Sequence, residues 1–198
     1  MYRFIETIRL ENGQFGDLSY PEARMNRAVS EVLGLHRSVN LEAILAMENF
    51  PSIGLHKVRL VYSSEVHSVQ VTPYAARPVA SLKIVHADSI NYQHKFEDRK
   101  ELNNLFEQRD TCDDVIIVKN NLITDSSYAN LAFKTKGRWV TPRSFLLNGT
   151  MRQQLLDKKI ITEESIALDD LRRYESVKLI NAMLLFEGPE IEVSKIVK

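Results

Sequence analysis

Residues 140–156 read VTPRSFLLNGTMRQQLL, and this stretch decides how the second half of the chain is built. The leading VTP closes a strand that turns at Lys136-Gly137 within NLAFKTKGRWVTP (130–142). From Gly149 the segment GTMRQQLLDKK is helical in pattern. A glycine just before a helix start leaves backbone N–H groups without helical acceptors, and the helix dipole favours negative charge there. Such a start binds phosphate, and Thr150 adds a hydroxyl. Taken alone the signal is weak, because many helices begin with glycine and bind nothing.

The neighbouring segments extend the pattern. DVIIVKNNLITD (114–125) is an apolar strand, an Asn-Asn turn and a second strand. ITDSSYANLAF (123–133) places an acid, Asp125, at a strand end and follows it with small hydroxyl residues. VKLINAML (177–184) reads as a late strand, and SLKIVHAD (81–88) as an early one followed by a helix over 97–109 with Leu102, Leu105 and Phe106 facing inward. Trp139 is expected in the core. PYAARPVA (73–80), with two prolines and small residues, marks a linker, so the expected domains are 1–75 and 76–198.

Before the linker, YRFIETIRL (2–10) is a strand and Asn12-Gly13 a turn. Ser19, Pro21 and Glu22 read as an N-cap, a first-turn proline and a capping-box partner. Met25, Ala28, Val29, Val32 and Leu33 then repeat at helical spacing until Gly34. A short helix is expected over 41–48, then strands KVRLVYSS (57–64) and SVQVTPY (68–74). The chain shows no repeat and no low-complexity tract.

Composition narrows the class. The chain has 198 residues, 44% hydrophobic and 26% charged, enough for a sizeable core. Lys+Arg and Asp+Glu are 26 each, so no net charge draws the chain to nucleic acid or an anionic membrane. No apolar run is long enough to span a bilayer, and MYRFIETIRLENG lacks a secretory core. The single Cys112 permits no internal disulfide and fits a cytoplasmic protein; beside Asp113 and Asp114 it is poorly placed to become a thiolate and reads as inert. His36, His56, His67, His86 and His94 have no metal-ligand spacing, so no metal is expected. His94 is singled out only because it abuts Lys95.

Taken together, these segments resemble the class IV aminotransferases, the fold-type-IV enzymes that use pyridoxal phosphate. FIETIR (4–9) is similar to the family's early Phe-Glu-Thr strand. EARMNRA (22–28) is similar to the helix whose arginine grips the cofactor phosphate, which places that role on Arg24. HKFEDR (94–99) resembles the segment carrying the Schiff-base lysine, which falls on Lys95. LITDSSYANLAF resembles a motif with glutamate where this chain has Asp125. VTPRSFLLNGTMRQQLL resembles the family's most specific motif, and KLINAML a late strand that contains Asn-Ala in lyase-type members.

The resemblance implies an α/β (α+β) fold of two subdomains, like D-amino-acid aminotransferase but shortened at its start. It implies pyridoxal 5'-phosphate held by Lys95, Arg24, Arg99, Asp125 and the Gly149, Thr150 and Met151 cradle. Lys95 is the implied catalytic residue, forming the covalent link as an unprotonated amine and then shuttling the substrate's α-proton. Asn181, Tyr92 and Tyr128 are weaker pocket candidates, and Arg59 and Arg77 are substrate-carboxylate candidates by location only. Each of these residues alone has a plainer reading: a surface lysine, a solvated helix arginine, a turn aspartate, ordinary strand tyrosines.

The implied reaction on an amino acid or amino-carboxylate is pyruvate elimination of the 4-amino-4-deoxychorismate lyase type. Asn181-Ala182 and Arg99 lean that way. The alternatives are a branched-chain or D-amino-acid aminotransferase, a non-catalytic cofactor-binding homologue, and an interaction domain with an accidental lysine. Two departures matter. The chain begins almost at FIETIR, without the Asp-Arg and Gly-rich segment usual before it. Asp125 is also one methylene shorter than glutamate. Relatives are homodimers, and a homodimer is expected here.

Overall fold

The computed structural model describes residues 2–36 and 38–198. The chain forms two compact units. The first takes in the chain up to Ala76 together with His94–Asp98; the second takes in Arg77–Gln93 and Arg99–Lys198.

The first unit is an antiparallel sheet in the order β2-β1-β3-β4. Its strands are β1 (Phe4–Glu11), β2 (Gln14–Phe15), β3 (Leu55–Tyr62) and β4 (Val66–Pro73), and its helices are α1 (Ser19–Leu33) and α2 (Leu41–Leu45). Strand alternation divides β1 into two faces. Phe4, Ile8 and Leu10 join Met25, Ala28, Val29, Leu41, Leu45, Val58, Leu60 and Tyr62 in one buried cluster. Thr7 and Arg9 belong to the opposite set and pair with Arg59 and Lys57 of β3. Asn12 and Gly13 take positive φ values of 49° and 76°, as a tight hairpin requires.

Helix α1 starts where expected but not by the expected means. The N-cap is Leu18, without a side-chain capping bond, and Ser19 is the first helical residue. Its own N–H and hydroxyl both donate to Asp17. Glu22 accepts from Leu41 N at 2.8 Å, so its carboxylate is taken by a residue beyond the helix. The end is as the sequence suggests: Gly34 sits at φ 67° and its N–H returns to Ser30 O. Helix α2 is shorter than expected, capped by Asn40, whose side chain accepts from Ala43 N.

The second unit is a mixed nine-stranded sheet. It contains β5 (Leu82–His86), β6 (Asp114–Lys119), β7 (Leu122–Ser126), β8 (Asn130–Thr135), β9 (Arg138–Pro142), β10 (Ile161–Glu164), β11 (Ser176–Ile180), β12 (Glu190–Glu192) and β13 (Ile196–Val197), with α3 (Lys100–Phe106) and α4 (Thr150–Asp157). The run β10-β9-β8-β7-β6-β5-β13 is continuous, and β11 pairs with β8 and β12. Both predicted hairpin turns form, with Asn120, Asn121, Lys136 and Gly137 all at positive φ. The core gathers Leu82, Ile84, Ile116, Val118, Ile123, Leu131, Phe133, Val177 and Leu179.

Four local expectations need correction. Helix α3 begins at Lys100 rather than 97, because the residues before it pair with β1: Lys95 O accepts from Ile5 N, and Glu97 N donates to Arg3 O. Phe106 is half-buried, with the guanidinium groups of Arg77 and Arg109 against its ring. The late strand stops at Ile180, since Asn181 Oδ1 accepts from Met183 N and Leu184 N and turns the chain. Trp139 is half-buried, packed edge-on against Phe186.

Candidate functional site

In the first unit, β1 holds Lys95 at two points. The lysine carbonyl accepts from Ile5 N at 2.9 Å, and Nζ donates to Thr7 Oγ1 at 3.0 Å. The amine therefore lies on the sheet face opposite the apolar cluster, half-buried. Arg59, the cross-strand partner of Thr7, is paired with Glu97 at 3.3 Å. His94 lies edge-on to Phe4 and Phe96, with Nε2 3.4 Å from Glu31 Oε2. Burial holds the His94 pKa below the usual imidazole range, against the pull of Glu31 and with some help from Arg27.

Arg24, to which the resemblance gives the cofactor phosphate, is held here by a carboxylate. It is buried and bound side-on to Glu6, with Nε to Oε1 at 2.8 Å and Nη2 to Oε2 at 2.5 Å. Burial, with the negative charge of Glu6, pushes the neighbouring Tyr62 phenol far above its ordinary range. Arg27, one turn further along α1, is half-buried, and its charge is felt at both Tyr62 and His94. Among the described residues no carboxylate forms an ion pair with it. Arg27 went unremarked in the sequence, although RMNR sets two arginines three residues apart, on one side of a helix.

In the second unit, Asp125, Gly149, Thr150 and Met151 form one cluster, built around Asn130. Asp125 is buried. Its Oδ2 accepts from Leu146 N at 3.0 Å and Leu147 N at 2.9 Å, and its Oδ1 accepts from Asn130 Nδ2 at 2.7 Å. Burial raises its pKa to about 6, opposed by those three hydrogen bonds and by Arg152. The first intrahelical bond of α4 runs from Gln153 N to Gly149 O, so the Thr150 and Met151 amides have no helical acceptor. A Cβ at Gly149 would lie 1.9 Å from Asn130 Oδ1, so only glycine fits. Arg152, almost wholly buried, ties α4 to Glu163 and to Pro142 O.

Arg99, Tyr128 and Asn181 meet at the turn between β7 and β8, which Asp125 and Asn130 flank. Arg99 Nη2 donates to Ser127 O at 2.7 Å, and Asn181 Nδ2 to Tyr128 O at 3.4 Å. The Tyr128 ring carries the Arg77 guanidinium at 4.7 Å. Arg77 itself is paired with the buried Asp114 at 2.6 Å. Tyr92 is buried in the second unit.

The class IV aminotransferase family matches residues 3–186. An uncharacterised Haemophilus influenzae protein is 33% identical over 185 residues, covering 92% of this chain and 98% of its own. Among solved structures, a candidate 4-amino-4-deoxychorismate lyase from Haemophilus somnus is 34% identical, with a TM-score of 0.87 over 92% of this chain and 97% of that one. A candidate amino-acid aminotransferase from Mesorhizobium loti is 23% identical and shares the fold, with a TM-score of 0.82 over 100% of both chains. The chain belongs to the class IV aminotransferase family, whose members are fold-type-IV enzymes that use pyridoxal phosphate.

Proposed function

We propose that this chain is a pyridoxal-phosphate lyase that eliminates pyruvate from a 4-amino-4-deoxychorismate-like amino-carboxylate and leaves 4-aminobenzoate. The observation that carries it is the Lys95 amine, half-buried and held by a strand-borne hydroxyl at 3.0 Å. The other donors fit the cofactor. The α4 start has helical amides and no room for a side chain at Gly149. Arg27 is a half-buried cation without a carboxylate partner among the described residues. Asp125 is a carboxylate with three donors around its two oxygens, which leaves a lone pair on Oδ1.

When bound, pyridoxal phosphate supplies the electron sink for the pair left as the substrate loses its α-proton. The chain's own groups do the rest. Lys95 Nζ anchors the cofactor and afterwards carries that proton. In the second unit the amides of Thr150 and Met151 would hold a phosphate; in the first, the half-buried Arg27 guanidinium is a cation suited to one, and Arg24 fixes the helix that carries it. Asp125, largely ionised at neutral pH, would hold the protonated form of the ring nitrogen.

The lyase reading is supported by the likeness to the Haemophilus somnus structure. Asn181-Ala182 and Arg99, residues by which the chain resembles lyase-type members, lean the same way. An aminotransferase would share each group up to proton removal. Incubation with 4-amino-4-deoxychorismate separates the two: release of pyruvate without an added 2-oxo acid supports the lyase, and turnover only when a 2-oxo acid is consumed overturns it. Among the described residues no helix is long and apolar enough to cross a membrane. We place the protein in the cytoplasm as a homodimer, with its subdomain boundary in the PYAARPVA linker.

A further inference from the structure

Among the described residues, Asn130 is the one side chain bonded both to Asp125 and to the loop that leads into α4. It is buried, the first residue of β8, and paired across strands with Asp125 and with Ile180. Its Nδ2 donates to Asp125 Oδ1 at 2.7 Å and to Leu147 O at 2.8 Å. Both partners are acceptors, so the amide has one orientation. Its Oδ1 is turned towards Gly149, at the spot a Cβ there would occupy.

The cofactor of the proposed function presents two polar ends at a fixed separation, a ring nitrogen and a phosphate. The groups that meet them must be held in register with each other. Leu146 N and Leu147 N tie Asp125 to the 146–149 loop from one side, and Asn130 closes the triangle from the other. We infer that Asn130 is the positioning residue of this site, aiming the Asp125 carboxylate and the Gly149–Met151 start of α4 at a single bound pyridoxal phosphate. The inference rests on the reading of the site as a pyridoxal-phosphate site.

Asn130→Asp tests it at constant shape. The variant has no amide proton for Asp125 or for Leu147 O, and it sets two carboxyl groups face to face. One proton shared between them would restore a donor, so the defect is greatest at high pH and relieved on acidification. The measurement is titration of pyridoxal phosphate into the cofactor-free parent, Asn130→Asp and Asn130→Ser. The visible band is followed across pH at a temperature where each protein is folded, with a melting curve of each. Asn130→Ser removes both bonds without adding charge and serves if the aspartate variant does not fold.

The expected result is cofactor affinity weakened roughly 10- to 100-fold in both variants, with a pH-dependent recovery only in Asn130→Asp. A merely structural asparagine lowers the melting temperature and leaves the affinity of the folded protein unchanged; that result overturns the inference. A parent that shows no band overturns the cofactor reading, and this inference with it.

Discussion

Arg24 binds Glu6 through two parallel hydrogen bonds, Nε to Oε1 at 2.8 Å and Nη2 to Oε2 at 2.5 Å, with both side chains buried. The pair joins α1 to β1, the strand that also holds Lys95. Removing one partner leaves a buried charge unmatched, which costs about 3 to 5 kcal/mol. Arg24→Gln is therefore expected to lower the melting temperature of the cofactor-free protein by roughly 10 °C. A melting curve that superimposes on the parent's would show that the pair is not structural.

Arg27 is expected to behave in the opposite way. It has no carboxylate to abandon among the described residues, so Arg27→Gln should leave the melting temperature within about 2 °C of the parent's. Cofactor affinity should fall by tenfold or more, as expected on losing a charge-assisted contact to phosphate. Unchanged affinity in Arg27→Gln, together with lost affinity in a folded Arg24→Gln, would return the phosphate to Arg24.

The choice between these two arginines shows where the sequence stops being informative. EARMNRA places both on one helix, but which one meets a carboxylate depends on Glu6, eighteen residues away in a strand. Glu22 has the same history: its spacing from Ser19 suggested a capping box, yet its carboxylate is claimed by Leu41 N. Residues 97–99 read as helix because the partner that takes the Glu97 N–H, Arg3 O, lies at the far end of the sequence. Features decided within a few residues were legible: the Gly34 helix end, the Asn120-Asn121 and Lys136-Gly137 turns, and the Gly149 start of α4. Asn130 stood in plain view in SSYANLAF, but only its two acceptors reveal what it does.

Asp125 gives a pH signature. Its pKa is about 6 in the folded chain and near the ordinary 3.8 when unfolded, so between those values the folded state binds the extra proton. Its contribution to stability is complete below about pH 4 and is lost as pH rises through about 6, by roughly 3 kcal/mol in all. Above that range it is constant. Denaturant melts of the cofactor-free parent and Asp125→Asn over pH 4 to 8 should differ by this slope. Parallel stability curves would contradict the burial argument.

His94 contributes with the opposite sign. Its folded pKa lies below the ordinary 6.5, so the folded chain prefers the neutral ring. The benefit is present above the unfolded value and is lost as pH falls. Glu31 pulls against the shift and Arg27 adds to it, the two charged neighbours named by its electrostatics. His94→Phe keeps an aromatic ring between Phe4 and Phe96 and should remove this acid-side loss. A variant that loses stability on acidification just as the parent does would assign that loss to another group.

The central claim is that the Lys95 amine is the cofactor's covalent anchor. The direct measurement is a spectrum of the protein incubated with pyridoxal phosphate, followed by borohydride reduction and peptide mass mapping. The account predicts a visible band that reduction abolishes, a cofactor mass fixed on the peptide containing Lys95, and neither in Lys95→Ala. A band that persists in Lys95→Ala, or a label that maps to another lysine, would contradict it.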